Sequence, residues 1–276
     1  MKKEKKLTFL ADVIGIIVGV AIFAIPFIFM LINSLKDRRG ANQLSMALPE
    51  VFHWENYLEV IKTNDYMLLT GFKNSAIITV VSVLMLIVFC SMAGYVVQRR
   101  RSKLISTFSF CMMAGLMLPP AILPTIKLLQ GLHVYKTLFG MILVEVALQS
   151  PFTIMMYRSF ISSVPMELEE AAYLDGCSKW GIFSKIIFPL LKPVTSTIII
   201  LNAVNIFNDF MNALYFLPGA KNVTVQMSLY NFHGQFATSY NLLFADVILL
   251  TIPMLILFLI FNQKIVDGMV AGSVKG

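Results

Sequence analysis

The sequence predicts an all-α integral membrane protein with six transmembrane helices, and three observations carry that prediction. The chain of 276 residues is 58% hydrophobic and only 13% charged, with a mean hydropathy of +0.78, whereas soluble domains carry about a quarter charged residues. Apolar runs recur at about Phe9–Leu35, Ser75–Val97, Leu104–Leu123, Leu138–Met156, Val194–Leu217 and Leu242–Phe261, each close to the roughly 20 residues a helix needs to cross a bilayer. The 22 lysines and arginines flank these runs unevenly: with six crossings, fourteen lie on the side of the termini and eight on the other. That bias places both termini in the cytoplasm, together with a polar island at 163–193, in a single transmembrane domain over 1–276. The net charge of +7 does not mark a nucleic-acid binder, because the cations flank apolar runs and form no basic-aromatic patch.

The start, MKKEKK followed by an apolar run to Leu35, has the charge of a signal peptide, but the run far exceeds a 7–15-residue h-region and is expected as an uncleaved first span. The outer segment 36–70 carries Trp54 and Tyr57, aromatics suited to a membrane interface, and cations, Lys36, Arg38 and Arg39 among them, against the charge bias. Arg99, Arg100 and Arg101 close the second span as a topogenic cluster. The third ends in MLPPAILP, where Pro119, Pro120 and Pro124 remove backbone donors and must break the helix, as a gate or as a packing kink.

Span four holds Glu145 and Gln149 on one helical face; an ionisable group at membrane depth faces a cavity or a partner. Span five carries Asn202, Asn205, Asn208, Asp209 and Asn212 at three-to-four spacing. Amides and carboxylates of that kind suit the hydroxyls of a sugar, with Phe207, Phe210, Tyr215 and Phe216 as stacking surfaces; interhelical hydrogen bonding explains them equally well. Asp246 belongs either to this polar system or to the outer interface. Cys90, Cys111 and Cys177 are odd in number and form no disulfide framework. His53, His133 and His233 show no ligand spacing, so no metal site is expected.

The island reads SVPMELEEAAYLDGCSKWGIFSKIIFPLLKP. Pro165 can open a helix, and Glu167, Glu169 and Glu170 place negative charge at the positive end of its dipole. Gly176 supplies a left-handed end, after which Trp180, Ile182, Phe183, Ile186 and Ile187 restart an apolar stripe that Pro189 and Pro193 close. From spacing alone this is an amphipathic helical hairpin on a membrane surface.

The hairpin resembles the EAA loop of ABC importer permeases, EAA-x3-G-x9-I-x-L-P, in Glu170, Ala171, Ala172, Gly176, Ile186 and Pro189, with Phe188 where leucine is usual. With WENY at Trp54, the Asn74-Ser75 pair, NDF at Asn208 and the tail FNQKIVDGMVAGSVKG, the whole chain resembles the maltose-type (MalG-like) branch of carbohydrate permeases. The resemblance implies a MetI-like permease fold in a prokaryotic cell membrane, half of a permease pair with a second, MalF-like permease. It implies two ATP-binding subunits and an extracytoplasmic sugar-binding protein as further partners. Glu169, Glu170, Ala171, Ala172, Asp175, Gly176, Ile186 and Pro189 would couple to the ATPase, and Glu145, Gln149, Asn202, Asn205, Asn208, Asp209 and Asn212 would line the substrate pathway. The chain has no G-x-x-x-x-G-K-[ST] loop, so it is expected to bind no cofactor and to catalyse nothing itself, ATP and Mg²⁺ being used by the partner ATPase. An ion-coupled secondary transporter or channel using Glu145, Asp209 or Asp246 is the alternative.

Overall fold

The computed structural model describes residues 2–219, 222–232 and 239–273, with side chains over 12–219, 222–228 and 239–260. The elements run α1 (Lys2–Ser34), α2 (Arg38–Asn42), α3 (Glu55–Arg99), α4 (Lys103–Met117), α5 (Ile122–Gly131), α6 (Leu138–Ile161), α7 (Glu167–Leu174), α8 (Lys179–Gly181), a π-helical turn at Ile182–Ile187, α9 (Phe188–Leu190), α10 (Lys192–Phe207), α11 (Met211–Phe216), a 3-10 segment at Val225–Phe232 and α12 (Tyr240–Ser273). Among the described residues there is no strand. His233 and Lys221 lie outside the described residues, as do the side chains of the tail from Phe261.

α1, α3, α6 and α12 each contain a stretch long and apolar enough to cross a membrane. α4 with α5, bent by 120°, and Lys179–Leu190 with α10, bent by 73°, raise the number to as many as six if each bent pair is one span. Two of the expected spans are therefore not single helices. The run expected at 104–123 stops at Met117, because Pro119 and Pro120 can neither donate to a helix nor let the residues before them turn helically. Pro124 is tolerated beyond the break because it sits in the first turn of α5. The run expected at 194–217 stops at Phe207 and resumes at Met211. α10, at 16 residues, is about 24 Å long, short of a hydrocarbon core of about 30 Å.

The chain packs as two compact units, one formed by residues up to Leu68 with Ser228–Ile252, the other by Leu69–Met227 with residues from Pro253. Both draw on distant parts of the sequence. In the first, Asn56 Nδ2 donates to the carbonyls of Ser34 (2.7 Å) and Lys36 (2.9 Å), and its Oδ1 accepts from Asn241 Nδ2 (2.9 Å). Asp246 is fully buried and accepts from Ser228 Oγ. Lys36 is only 5% exposed; its Nζ donates to Asn33 Oδ1 and to the carbonyl and hydroxyl of Ser45, and burial pushes its pKa down from the usual lysine value. This cation on the minority side of the charge bias thus has a structural use. Trp54, exposed, stacks between Phe52 and Tyr57. Within α3, Asn64, Asp65 and Tyr66 have φ of 50°, 53° and 59°, a left-handed interruption that separates the polar outer turns from the apolar run.

In the second unit the core gathers Leu86, Tyr157, Ile161, Ile187, Leu191 and Ile198. Helices in lipid gain little from apolar burial against one another, so close backbone approach matters more. Gly94 of α3 provides it: a Cβ there would sit 2.7 Å from Tyr157 Cβ and 3.2 Å from the Arg158 nitrogen of α6. Tyr157 Oη in turn hydrogen-bonds Thr195 Oγ1 of α10 at 3.1 Å. The Asn74-Ser75 pair fixes the segment after α11, Asn74 Nδ2 donating to the Val223 carbonyl and Ser75 Oγ accepting from the Val225 N–H, both at 2.9 Å.

Candidate functional site

The hairpin is built by caps. α7 begins at Glu167 with Met166 as N-cap, so Pro165 precedes the helix instead of opening it. Three glutamates occupy its first turn, where the helix dipole favours them. It ends in a Schellman arrangement: the Cys177 N–H reaches the Ala172 carbonyl (3.0 Å), the Gly176 N–H reaches that of Tyr173 (3.1 Å), and Gly176 has φ +81°. Ser178 then caps the second arm, its Oγ accepting from the Gly181 N–H at 3.1 Å. Pro189 does not end this arm. Its ring excludes the carbonyl four residues back, and the chain continues by widening into the π turn Ile182–Ile187, in which the Phe188 N–H reaches back to the Phe183 carbonyl.

The two faces of α7 differ. Glu167, Glu170, Ala171 and Leu174 form an outward stripe at i, i+3, i+4, i+7, all exposed, Leu174 to 85%. Asp175, Gly176 and Pro189 are also exposed, and Ile186 is half-buried. Ala172 turns inward and is buried. So does Glu169, whose side chain is 11% exposed: Arg99 Nε donates to its Oε1 and Tyr95 Oη to its Oε2, each at 2.6 Å. Arg99 and Tyr95 were not among the expected site residues, since an arginine after a span reads as a topogenic charge. Leu174 was missed too, although a large apolar residue beside the acidic stripe is a visible signal.

The pathway candidates divide. Asn202 is 2% exposed and donates to Thr153 Oγ1 of α6 and to the Ile198 carbonyl, so within this chain it ties two helices together. Asn205 is exposed and has no partner among the described residues. Asn208 ends α10, is exposed and accepts from Gln226 Nε2 at 2.9 Å. Asp209 Oδ1 accepts from the Asn212 backbone N–H at 3.1 Å, the local side-chain bond that lets Asn and Asp interrupt helices. The amide series is thus not one straight stripe, because two of its members break the helix that would align them. Phe207 and Phe216 are correspondingly buried, Phe207 against Phe72. Glu145, 1% exposed, faces Asp209 and Gln149, while Glu145 Oε1 and Asp209 Oδ2 meet no donor. A Glu145→Gln substitution supplies a donor at nearly unchanged volume. We expect it to stabilise the protein by about 1 kcal/mol, read as a rise of roughly 2–4 °C in the melting midpoint in detergent; an unchanged or lower midpoint shows that the pair is already satisfied.

A polar cavity of about 360 Å³ in the first unit, lined by Lys36, Asp37, Gln43, Glu50 and His53 among others, includes none of these candidates. No group of three or more metal-ligating side chains gathers among the described residues.

Residues 87–270 match the family described as binding-protein-dependent transport system inner membrane component. The chain belongs to that family. This inner membrane component spans the bilayer more than once, and the hairpin with both its arms lies inside the matched region. It is 34% identical to the melibiose/raffinose/stachyose import permease protein MelC of Bacillus subtilis, over 91% of each chain. It is 32% identical to the multiple sugar-binding transport system permease protein MsmG of Streptococcus mutans over the full length of both. Its fold is similar to a chain of a bacterial ABC transporter involved in the import of the acidic polysaccharide alginate, with a TM-score of 0.82 at 19% identity, covering 95% of this chain and 98% of the other.

Proposed function

We propose that this chain is one permease half of an ATP-driven importer for a sugar or oligosaccharide. The observation that carries the reading is the similarity, over nine-tenths or more of both chains, to permeases named for sugar import. In this reading six spans cross the membrane, the two bent pairs counting as one each, and both termini and the hairpin lie in the cytoplasm. The outward stripe of α7 docks on an ATP-binding subunit that supplies ATP and Mg²⁺ chemistry, and an equivalent loop of a second permease docks on the other. An extracytoplasmic binding protein delivers the sugar. Exposed Asn205 and Asn208, with Asp209 and Asn212 at the break after α10, face the translocation path, where amides replace the water that a sugar's hydroxyls lose. Glu145, Gln149 and Asn202 support that wall from behind.

The test is uptake into proteoliposomes by the complex with its binding protein, using radiolabelled melibiose, raffinose and longer oligosaccharides. At least one sugar should accumulate only with ATP inside and should stop when the ATPase subunits carry a disabled phosphate loop. Uptake indifferent to the ATPase and abolished by dissipating ion gradients would instead make the chain a secondary transporter.

A further inference from the structure

Three segments of the chain converge where the hairpin meets the end of α3. Arg99, in the last turn of α3, bonds Glu169 of α7 through Nε and the Val164 carbonyl, in the link from α6, through its second terminal nitrogen at 2.8 Å. Tyr95, one turn earlier, closes the second carboxylate oxygen of Glu169 and lays its ring 5.4 Å from Phe183 of the second arm. Both arms of the hairpin are therefore fastened to one turn and a half of α3. The bonds are short, charge-assisted and largely screened from water, with Arg99 and Glu169 side chains 12% and 11% exposed.

We propose that Glu169 and Arg99 are positioning residues that clamp the hairpin to α3, so that displacement of α7 by its ATPase partner turns α3 as one body with it. This rests on the docking role given to α7 above and adds the direction in which motion leaves the hairpin. Docking uses the outward stripe, Glu167, Glu170, Ala171 and Leu174; transmission uses the inward carboxylate one residue away from Glu170.

The test places spin labels at Arg100→Cys, which continues the α3 helix through its N–H to the Val96 carbonyl, and at Tyr173→Cys on an exposed flank of α7, with the native cysteines replaced by alanine. In the complex with its ATPase subunits, the separation between the labels should be a single narrow distribution that is the same without nucleotide and with trapped ATP–vanadate. With Arg99→Met it should broaden and shift on trapping, and stimulation of ATP hydrolysis by the binding protein should fall by about fivefold or more while basal hydrolysis remains. The conservative Arg99→Lys, which keeps a cation beside the Glu169 carboxylate, should keep the distribution narrow. A native separation that changes between nucleotide states overturns the clamp, as does an Arg99→Met complex whose distribution stays native. A parallel Glu170→Lys complex separates the two ideas: if it keeps its ATPase subunits, docking through α7 is wrong, whatever the labels show.

Discussion

The Glu170→Lys permease is expected to insert and fold normally and to lose its ATPase subunits on purification. Glu170 is exposed, at the centre of the outward stripe, and makes no contact that the fold depends on. In the proposed docking, the carboxylate meets a cationic side chain of the ATPase subunit; reversing its charge puts like charges together at a desolvating contact, a change that costs several kcal/mol. At about 1.4 kcal/mol per tenfold, even the lower part of that range weakens the affinity for the partner about a hundredfold, enough for the complex to dissociate on purification. The measurement is the ratio of ATPase subunit to permease in the purified complex. Full stoichiometry would show that α7 does not dock through this face. Glu169→Lys makes an instructive contrast, because it breaks the inward bonds to Tyr95 and Arg99 and so disturbs the fold of the hairpin itself.

The second large effect is at Gly94. Alanine is about 1 kcal/mol better than glycine in a helix, so on propensity alone Gly94→Ala should stabilise α3. Packing decides otherwise. The new methyl would lie 2.7 Å from Tyr157 Cβ and 3.2 Å from two backbone atoms of α6, and none of these is the free end of a side chain that can swing away. Overpacking of this kind costs about 1–3 kcal/mol, and Gly94→Leu, which must push the helices apart and pull Tyr157 from Thr195, more. The yield of monodisperse permease should fall several-fold for Gly94→Ala and be nearly lost for Gly94→Leu. A melting midpoint at or above native for Gly94→Ala would show that α3 and α6 are not in backbone contact.

How much of this was legible in the sequence depended on whether the cause was local. Gly176 could be placed because only glycine takes φ +81° without strain, and the Pro119-Pro120 break because proline acts on its own turn. The hairpin's turn and restart follow from bonds that span no more than five residues, at Gly176 and Ser178, whereas its start at Glu167 carries no side-chain cap. Asn208 and Asp209 mislead for a related reason: their spacing continues a stripe, but their short polar side chains compete with the helix backbone, and the second effect won. Contacts across the fold left no periodic trace. Arg99 and Glu169 are 70 residues apart, Asn202 and Thr153 are 49 apart, and nothing in either residue's neighbourhood names its partner. The apolar runs mark where hydrophobic segments lie, while the bends at 118–121 and 191 leave four single helices long and apolar enough to cross a membrane.

The widened turn at Ile182–Ile187 fixes the phase of everything that follows it. In a π turn the residue five positions on lies above its starting point, which is why Phe183 and Phe188 bring their rings to 6.0 Å instead of pointing to different sides. The turn accommodates one residue more than an α-helix of the same rise. Removing one residue between Ile182 and Ile187 and closing to an ordinary α turn would leave Leu191, Val194 and Ile198 in phase with the core, but would bring the Pro189 ring back against the carbonyl one α turn before it. The widened turn is therefore what lets a proline sit inside a second arm that runs on without a break to Leu190.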